Sequence, residues 1–136
     1  MKKIIFRLVG ASILVVLAFA ASSMDEDARI AISILVCLPS CALMIMSRRQ
    51  LGESFTVAPK AMALVTTGLY SRIQHPMYLF LDLFILSIIV AIDIRPLIFV
   101  WAGLVIIQLG QSRHEERILS KTFGEEYEAY KTRTWI

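Results

Sequence analysis

Residues 77–111 read MYLFLDLFILSIIVAIDIRPLIFVWAGLVIIQLGQ, two apolar runs separated by a short polar break around Asp93 to Pro96. The runs, Met77 to Ile92 and Pro96 to Gln111, lie near the lower end of the about 17 to 25 residues that carry a helix across a bilayer. The break predicts a tight helical hairpin, and Pro96 suits the first turn of its second helix, where a missing N–H is not needed. Helices joined in this way are antiparallel neighbours, so the start of the first and the end of the second lie side by side.

Working outward, Ile4 to Ala21 and Ile30 to Met46 add two more apolar stretches. With 136 residues the chain reads as a single domain, 1–136, and 57% hydrophobic against 18% charged residues lies well outside the soluble range. The expected fold is all-α: an integral membrane bundle of four transmembrane helices followed by a cytosolic C-terminal helical segment. None of the spans is long, so Arg48, Arg49, Arg95 and Arg113 are expected to snorkel to the interface. Lys2, Lys3 and Arg7 precede the first run, Arg48, Arg49, Lys60 and Arg72 fill the middle connection, and Arg113, Arg117, Lys121, Lys131 and Arg133 follow the last run. The other two connections carry only Arg29 and Arg95, with Asp25, Glu26 and Asp27 beside the former. The positive-inside rule therefore puts both termini and the middle connection in the cytoplasm. A rival reading of the N-terminus is a secretory signal, since Lys2-Lys3, an apolar core and Ala18-Phe19-Ala20 fit that pattern too.

The net charge of +3 follows from this topology and from contact with anionic headgroups; no basic run points to nucleic acid. Cys37 and Cys41 stand one helical turn apart inside the second run, where packing is the expected role. They join no ligand cluster, so neither a metal site nor a disulfide framework is indicated.

The middle connection, Ser47 to Gln74, is long enough to be functional. Gly52, Pro59 and Gly68 are its turn signals, and Phe55, Val57, Met62, Leu64 and Val65 would hold it at the membrane surface. Pro76 marks the start of the third helix, which leaves His75 at or just before a helix N-terminus, where free N–H groups favour an anion. At about 100° per residue His75, Tyr78 and Asp82 share one stripe, with Asp82 about 10 Å deeper than His75. An acid inside a span costs about 2.5 to 3.5 kcal/mol on insertion scales. Asp82 is thus expected to face protein or a water-filled cavity, or to be protonated and bonded to a neighbour such as Gln108 or Ser87.

On the fourth helix Gln108, Ser112, Glu115 and Leu119 form a stripe, with Glu116 on its flank. Adjacent glutamates point about 100° apart, so one is expected to work and the other to be solvated or paired with Arg113 or Lys121. The tail reads as a helix continuing through Leu119, a break at Gly124 and a short helix through Tyr130. Phe123, Tyr127 and Tyr130 recur at helical spacing and would dock its face onto the membrane domain, or anchor it at the interface. The hairpin brings His75 and Tyr78 near Glu115 and Glu116, and convergent polar groups in apolar walls are the default binding site.

The string LVTTGLYSRIQHPMYLF, residues 64–80, resembles the LVT-x-G-x-Y-x-x-x-R-H-P-x-Y signature of the isoprenylcysteine carboxyl methyltransferase and phospholipid methyltransferase superfamily. EERILSKTFGEEYEAYKTR, residues 115–133, resembles its closing E-E-x-x-L-x-x-x-F-G-x-E-Y-x-x-Y segment. The two blocks span about half the chain, 64–133, in the family's order. The resemblance implies an S-adenosylmethionine cavity closed by the C-terminal helices and open to the cytosol, with a lipophilic substrate, isoprenylcysteine-like, entering from the bilayer lipids. It puts Tyr70, His75 and Tyr78 in the cofactor pocket, Glu115 and Glu116 at its methionine end, and Tyr127, Tyr130 and Arg133 in the closing segment. Glu116 and Arg133 are then the catalytic candidates: a glutamate would hold the ammonium and favour the sulfonium, while Arg133 or His75 would meet the carboxylate. Two departures stand out: Gln74 where the family has Arg before the His, and Leu69 where it has Pro.

Methyl transfer from a sulfonium is an in-line displacement that needs positioning and a dry, charge-matched site rather than a covalent nucleophile. A carboxylate acceptor needs only alignment, whereas an ammonium must first lose a proton, to His75, Glu116 or Asp82. The competing classes are a small four-helix transporter working through Asp82 and a non-catalytic membrane protein of the same shape.

Overall fold

The computed structural model describes residues 2–52 and 64–134, with side chains from Val9 onward. It contains helices α1 (Lys2–Ala21), α2 (Glu26–Leu51), α3 (Pro76–Ile92), α4 (Leu97–Phe123) and α5 (Glu125–Arg133), with a 3₁₀ turn at Gly68–Ser71. Among the described residues there is no strand. Each of the four apolar runs becomes one helix, and the tail adds the fifth. Among the described residues one helix, α2, is long and apolar enough to cross a membrane, with mean hydropathy 2.3 in its most apolar window and 17% of that window buried. Val9–Ala21 and Pro76–Ile92 are shorter apolar helical stretches. The expected membrane contacts of Phe55, Val57 and Met62, and the turn at Pro59, fall outside the described residues.

Local chemistry accounts for the ends of α2. The Asp25 side chain accepts a hydrogen bond from the Ala28 N–H at 3.1 Å, and Glu26 and Asp27 occupy the first turn. Arg48 and Arg49 fill the last turn, each charge matched to its end of the helix dipole. Pro39 sits inside α2 without ending it, a placement membrane helices tolerate. Ser33, Ser40 and Ser47 are buried at seven-residue intervals, and α2 packs chiefly against α3. Small side chains on one stripe allow two helix backbones to approach closely. The opposite face is apolar and open: Ile34, Leu35 and Leu38 are more than half exposed.

Helices α3 and α4 pair less extensively, and the buried apolar cluster they share lies away from the site. There Leu86 and Ile89 meet Ile98 and Trp101, with Ala18 of α1 closing the cluster. The hairpin between them turns through Asp93, whose left-handed φ of 53° ends α3, and Pro96 stands one residue before α4 as its N-cap instead of within the first turn. Arg29 Nη1 lies 3.3 Å from Asp93 Oδ2, which ties the start of α2 to this hairpin.

At the other end the chain returns to α3 through the turn at Gly68–Ser71, docked on α2 by a hydrogen bond from the Leu69 N–H to Gln50 Oε1 at 2.8 Å. Gly68 has φ 61°, and a Cβ there would stand 2.5 Å from Gln50 Oε1. Gly68→Ala should therefore cost the strain of about 1–2 kcal/mol that a left-handed alanine carries and displace Gln50 as well. Thermal unfolding in detergent should show a lower midpoint for Gly68→Ala than for the wild-type protein.

Candidate active site

Where α3 begins, Pro76 takes the first helical position and leaves His75 as N-cap, with φ −127° and ψ 61°. Its side chain does not cap the helix. The ring turns instead toward α4, with Nδ1 3.4 Å from Glu115 Oε2 and Nε2 3.8 Å from Glu116 Oε1. Tyr78, three residues on, stacks on the imidazole with ring centroids 5.7 Å apart, and its hydroxyl donates to Glu115 Oε1 at 2.6 Å. Glu116 Oε2 in turn lies 3.4 Å from Lys131 Nζ of α5. Burial alone would raise the Glu115 carboxyl, but hydrogen bonding from His75 and Tyr78, with the positive charge of the nearby histidines, holds it below the usual carboxylate range. The two glutamates therefore flank one imidazole, contrary to the expectation that only one would face the site. Glu116 pairs with Lys131 rather than with Arg113 or Lys121.

Gly124, at φ 50° and ψ −121°, ends α4 and starts α5, and its N–H reaches Ser120 O at 3.0 Å. Only glycine takes that conformation easily. The turn folds α5 back so that Tyr127 is 1% exposed and the Tyr130 hydroxyl donates to Tyr70 O at 2.7 Å. The docking expected of Tyr127 and Tyr130 is thus present, and it is made against the Tyr70 turn. Burial pushes the Tyr130 phenol up to about 12, and Tyr70 also to about 12, through burial first and then the neighbouring Tyr130 and Glu115.

Inward from His75 and Tyr78 opens a cavity of about 140 Å³ between α1, α3 and α4. Asp82 and Gln108 line it, with Trp101 deeper and Gly10, Ala11 and Leu14 of α1 on its side. Asp82 thus faces a cavity, one of its expected settings, and Ser87 is not its partner because that hydroxyl donates to Phe84 O. Of the candidate site residues, His75 and Tyr78 line the cavity; Tyr70, Glu115, Glu116, Tyr127 and Tyr130 do not. Arg133 ends α5 as an exposed residue, and Arg72 is exposed as well. Sequence reasoning missed Lys131, Trp101 and the α1 wall. For Lys131 a signal existed, a cation next to Tyr130 on a helix expected to fold toward two glutamates.

Residues 28–126, which include His75, Tyr78, Asp82, Gln108 and both glutamates, match the phospholipid methyltransferase family. The chain belongs to that family. Phospholipid methyltransferases are membrane-associated enzymes, so the polar cluster sits on a methyltransferase scaffold. The matched stretch stops just before Tyr127, leaving Tyr127, Tyr130 and Lys131 beyond it. No match was found among curated proteins or among solved structures.

The raised phenols set a pH window for α5. A group whose folded value lies above its unfolded value, here about 12 against 10.0, contributes stability that is complete below pH 10. That contribution is lost as pH rises through about 12. Tyrosinate absorbance of Tyr70 and Tyr130 should accordingly appear late in an alkaline titration. In Tyr130→Phe, which lacks the bond to Tyr70 O, α5 should become susceptible to proteolysis at neutral pH.

Proposed function

We propose that the protein is an integral membrane methyltransferase that uses S-adenosylmethionine to methylate a lipophilic acceptor, with α1 to α4 crossing the bilayer and the His75 cluster facing the cytoplasm. The observation that supports it is the His75 ring held between Glu115 and Glu116 at the mouth of an apolar cavity, in a chain of the phospholipid methyltransferase family. The charges fit the group. Two carboxylates suit an ammonium and a sulfonium, and His75 and Lys131 offer the cations that a carboxylate needs. Size limits where it sits: about 140 Å³ is less than the roughly 300–1,000 Å³ of pockets that enclose a whole ligand of that class. The cofactor would rest at the mouth, over the polar cluster, and leave the cavity to the acceptor.

In this reading Glu115 and Glu116 bind the methionine end, His75 and Tyr78 form the floor, and Tyr70, Tyr127 and Tyr130 support the closing segment as the aromatic side of the pocket. Arg133 is the remaining cation for the cofactor carboxylate and would have to swing in from its exposed position. When bound, the cofactor supplies an electrophilic methyl group. The chain's own contribution is to hold that group in line with the acceptor and to keep water out, for which alignment alone is worth up to about 7 to 11 kcal/mol. The isoprenylcysteine-like acceptor implied by the sequence resemblance is one lipophilic candidate among those that enter from the bilayer.

Calorimetry or labelled-cofactor binding in detergent tests the cofactor. The wild-type protein should show saturable binding, weakened about 10- to 100-fold when both Glu115 and Glu116 become Gln, as for loss of hydrogen bonds to charged groups. No saturable binding by folded protein would end this reading. Cysteine labelling in sealed vesicles should place Thr67 and Thr132, each replaced by Cys, on the cytoplasmic side; labelling from outside would overturn the orientation.

A further inference from the structure

The two glutamates at the mouth of the cavity are held in different ways. Glu115 accepts from the Tyr78 hydroxyl at 2.6 Å and has His75 Nδ1 3.4 Å away, so both of these partners come from the start of α3. Glu116 lies 3.8 Å from His75 Nε2 through Oε1, beyond hydrogen-bond distance, and 3.4 Å from Lys131 Nζ of α5 through Oε2. Taking Glu115 from its partners would part α3 from α4. Taking Glu116 from Lys131 needs the swing of one flexible four-carbon side chain.

That swing does not have to carry α5 with it. The adjacent Tyr130 donates to Tyr70 O at 2.7 Å and Tyr127 is fully buried, so aromatic contacts seat the helix apart from the ion pair. The pair is open to water, with Lys131 35% and Glu116 24% exposed, and pairs so exposed are weak enough to exchange. Lys131 also lies beyond the stretch that matches the family, which ends at residue 126.

The amino-acid end of S-adenosylmethionine carries an ammonium and a carboxylate on one carbon. If it enters between Glu116 and Lys131, its ammonium meets the glutamate and its carboxylate meets the lysine. One ion pair becomes two, charge is conserved, and neither protein group loses a partner. A ligand with the ammonium alone would satisfy Glu116 but take from Lys131 its counter-charge, which is unfavourable in a partly buried site.

We propose that Lys131 is a place-holder cation, which occupies Glu116 until the cofactor arrives and then passes to the cofactor carboxylate. The proposal rests on the methyltransferase reading and adds a rule of selection to it. The site accepts the zwitterionic amino-acid end and disfavours the ammonium without its carboxylate.

Calorimetry in detergent tests this with three ligands: S-adenosylmethionine, its decarboxylated analogue, which keeps the ammonium and the sulfonium, and methylthioadenosine, which has neither amino-acid charge. Lys131→Met should bind S-adenosylmethionine about 10-fold more weakly than wild type, for loss of a charged contact. The same variant should bind the decarboxylated analogue about 2- to 5-fold more tightly, the worth of an exposed ion pair that no longer competes. Affinity for methylthioadenosine should not change, and α5 should stay resistant to protease. Lys131→Arg, which keeps the charge, should retain the wild-type preference for S-adenosylmethionine over the analogue. Where Met at this position loosens α5, Lys131→Gln carries the same requirement of opposite signs. A loss shared by S-adenosylmethionine and the analogue, a gain shared by both, or no change in either would overturn the place-holder role. Failure of the wild-type protein to bind S-adenosylmethionine would instead overturn the methyltransferase reading itself.

Discussion

The 2.6 Å hydrogen bond from the Tyr78 hydroxyl to Glu115 is the contact on which the arrangement depends. It joins the first turn of α3 to the last third of α4. A carboxylate at the edge of an apolar cavity must be met by donors or lose its charge. Tyr78 and His75 meet it from α3. The second glutamate extends the same requirement to α5 through Lys131, so one need for charge compensation gathers three helices around one imidazole.

Two styles of helix packing make room for the cavity. Along α2 the serines at 33, 40 and 47 leave little bulk, and α2 and α3 run together over their length. Between α3 and α4 the facing residues include Tyr78, Trp101 and Gln108, and the apolar cluster of Leu86, Ile89, Ile98 and Trp101 closes only the far end. The space left at the near end is bounded by α1, where Gly10 and Ala11 put little bulk on that wall. The polar cluster and the cavity are thus successive layers of one gap, charged at the mouth and sparsely polar within.

Most of the helical layout was legible because it is written in long signals. Apolar runs, Pro76 and Gly124 give helix positions to within a few residues, since each acts through backbone chemistry that neighbours seldom override. The approach of His75 and Tyr78 to Glu115 followed from the hairpin alone. Less legible was the placing of Glu116. A rotation of about 100° per residue separates the backbones of adjacent side chains, yet a glutamate is long enough for both to curl around a ring lying between them. Lys131 escaped because its contact depends on how sharply Gly124 turns α5, and Trp101 because an indole in an apolar run looks like any core residue. Arg133, assigned a role by resemblance, is exposed at the end of α5.

The ion pair between Arg29 and Asp93 lies at the opposite end of α3 from His75. Over the 17 residues of α3 that separation is about 25 Å at 1.5 Å per residue. Helices α3 and α4 are thus laid out like the two arms of a pair of tweezers, with Asp93 at the joint and the imidazole and carboxylates at the tips. A change of only about 3° at the joint moves the tips by more than 1 Å, a shift sufficient to cost about 100-fold in rate where alignment governs the reaction. The spacing of the imidazole and the carboxylates is thus linked to an arginine and an aspartate at the far end of the helix.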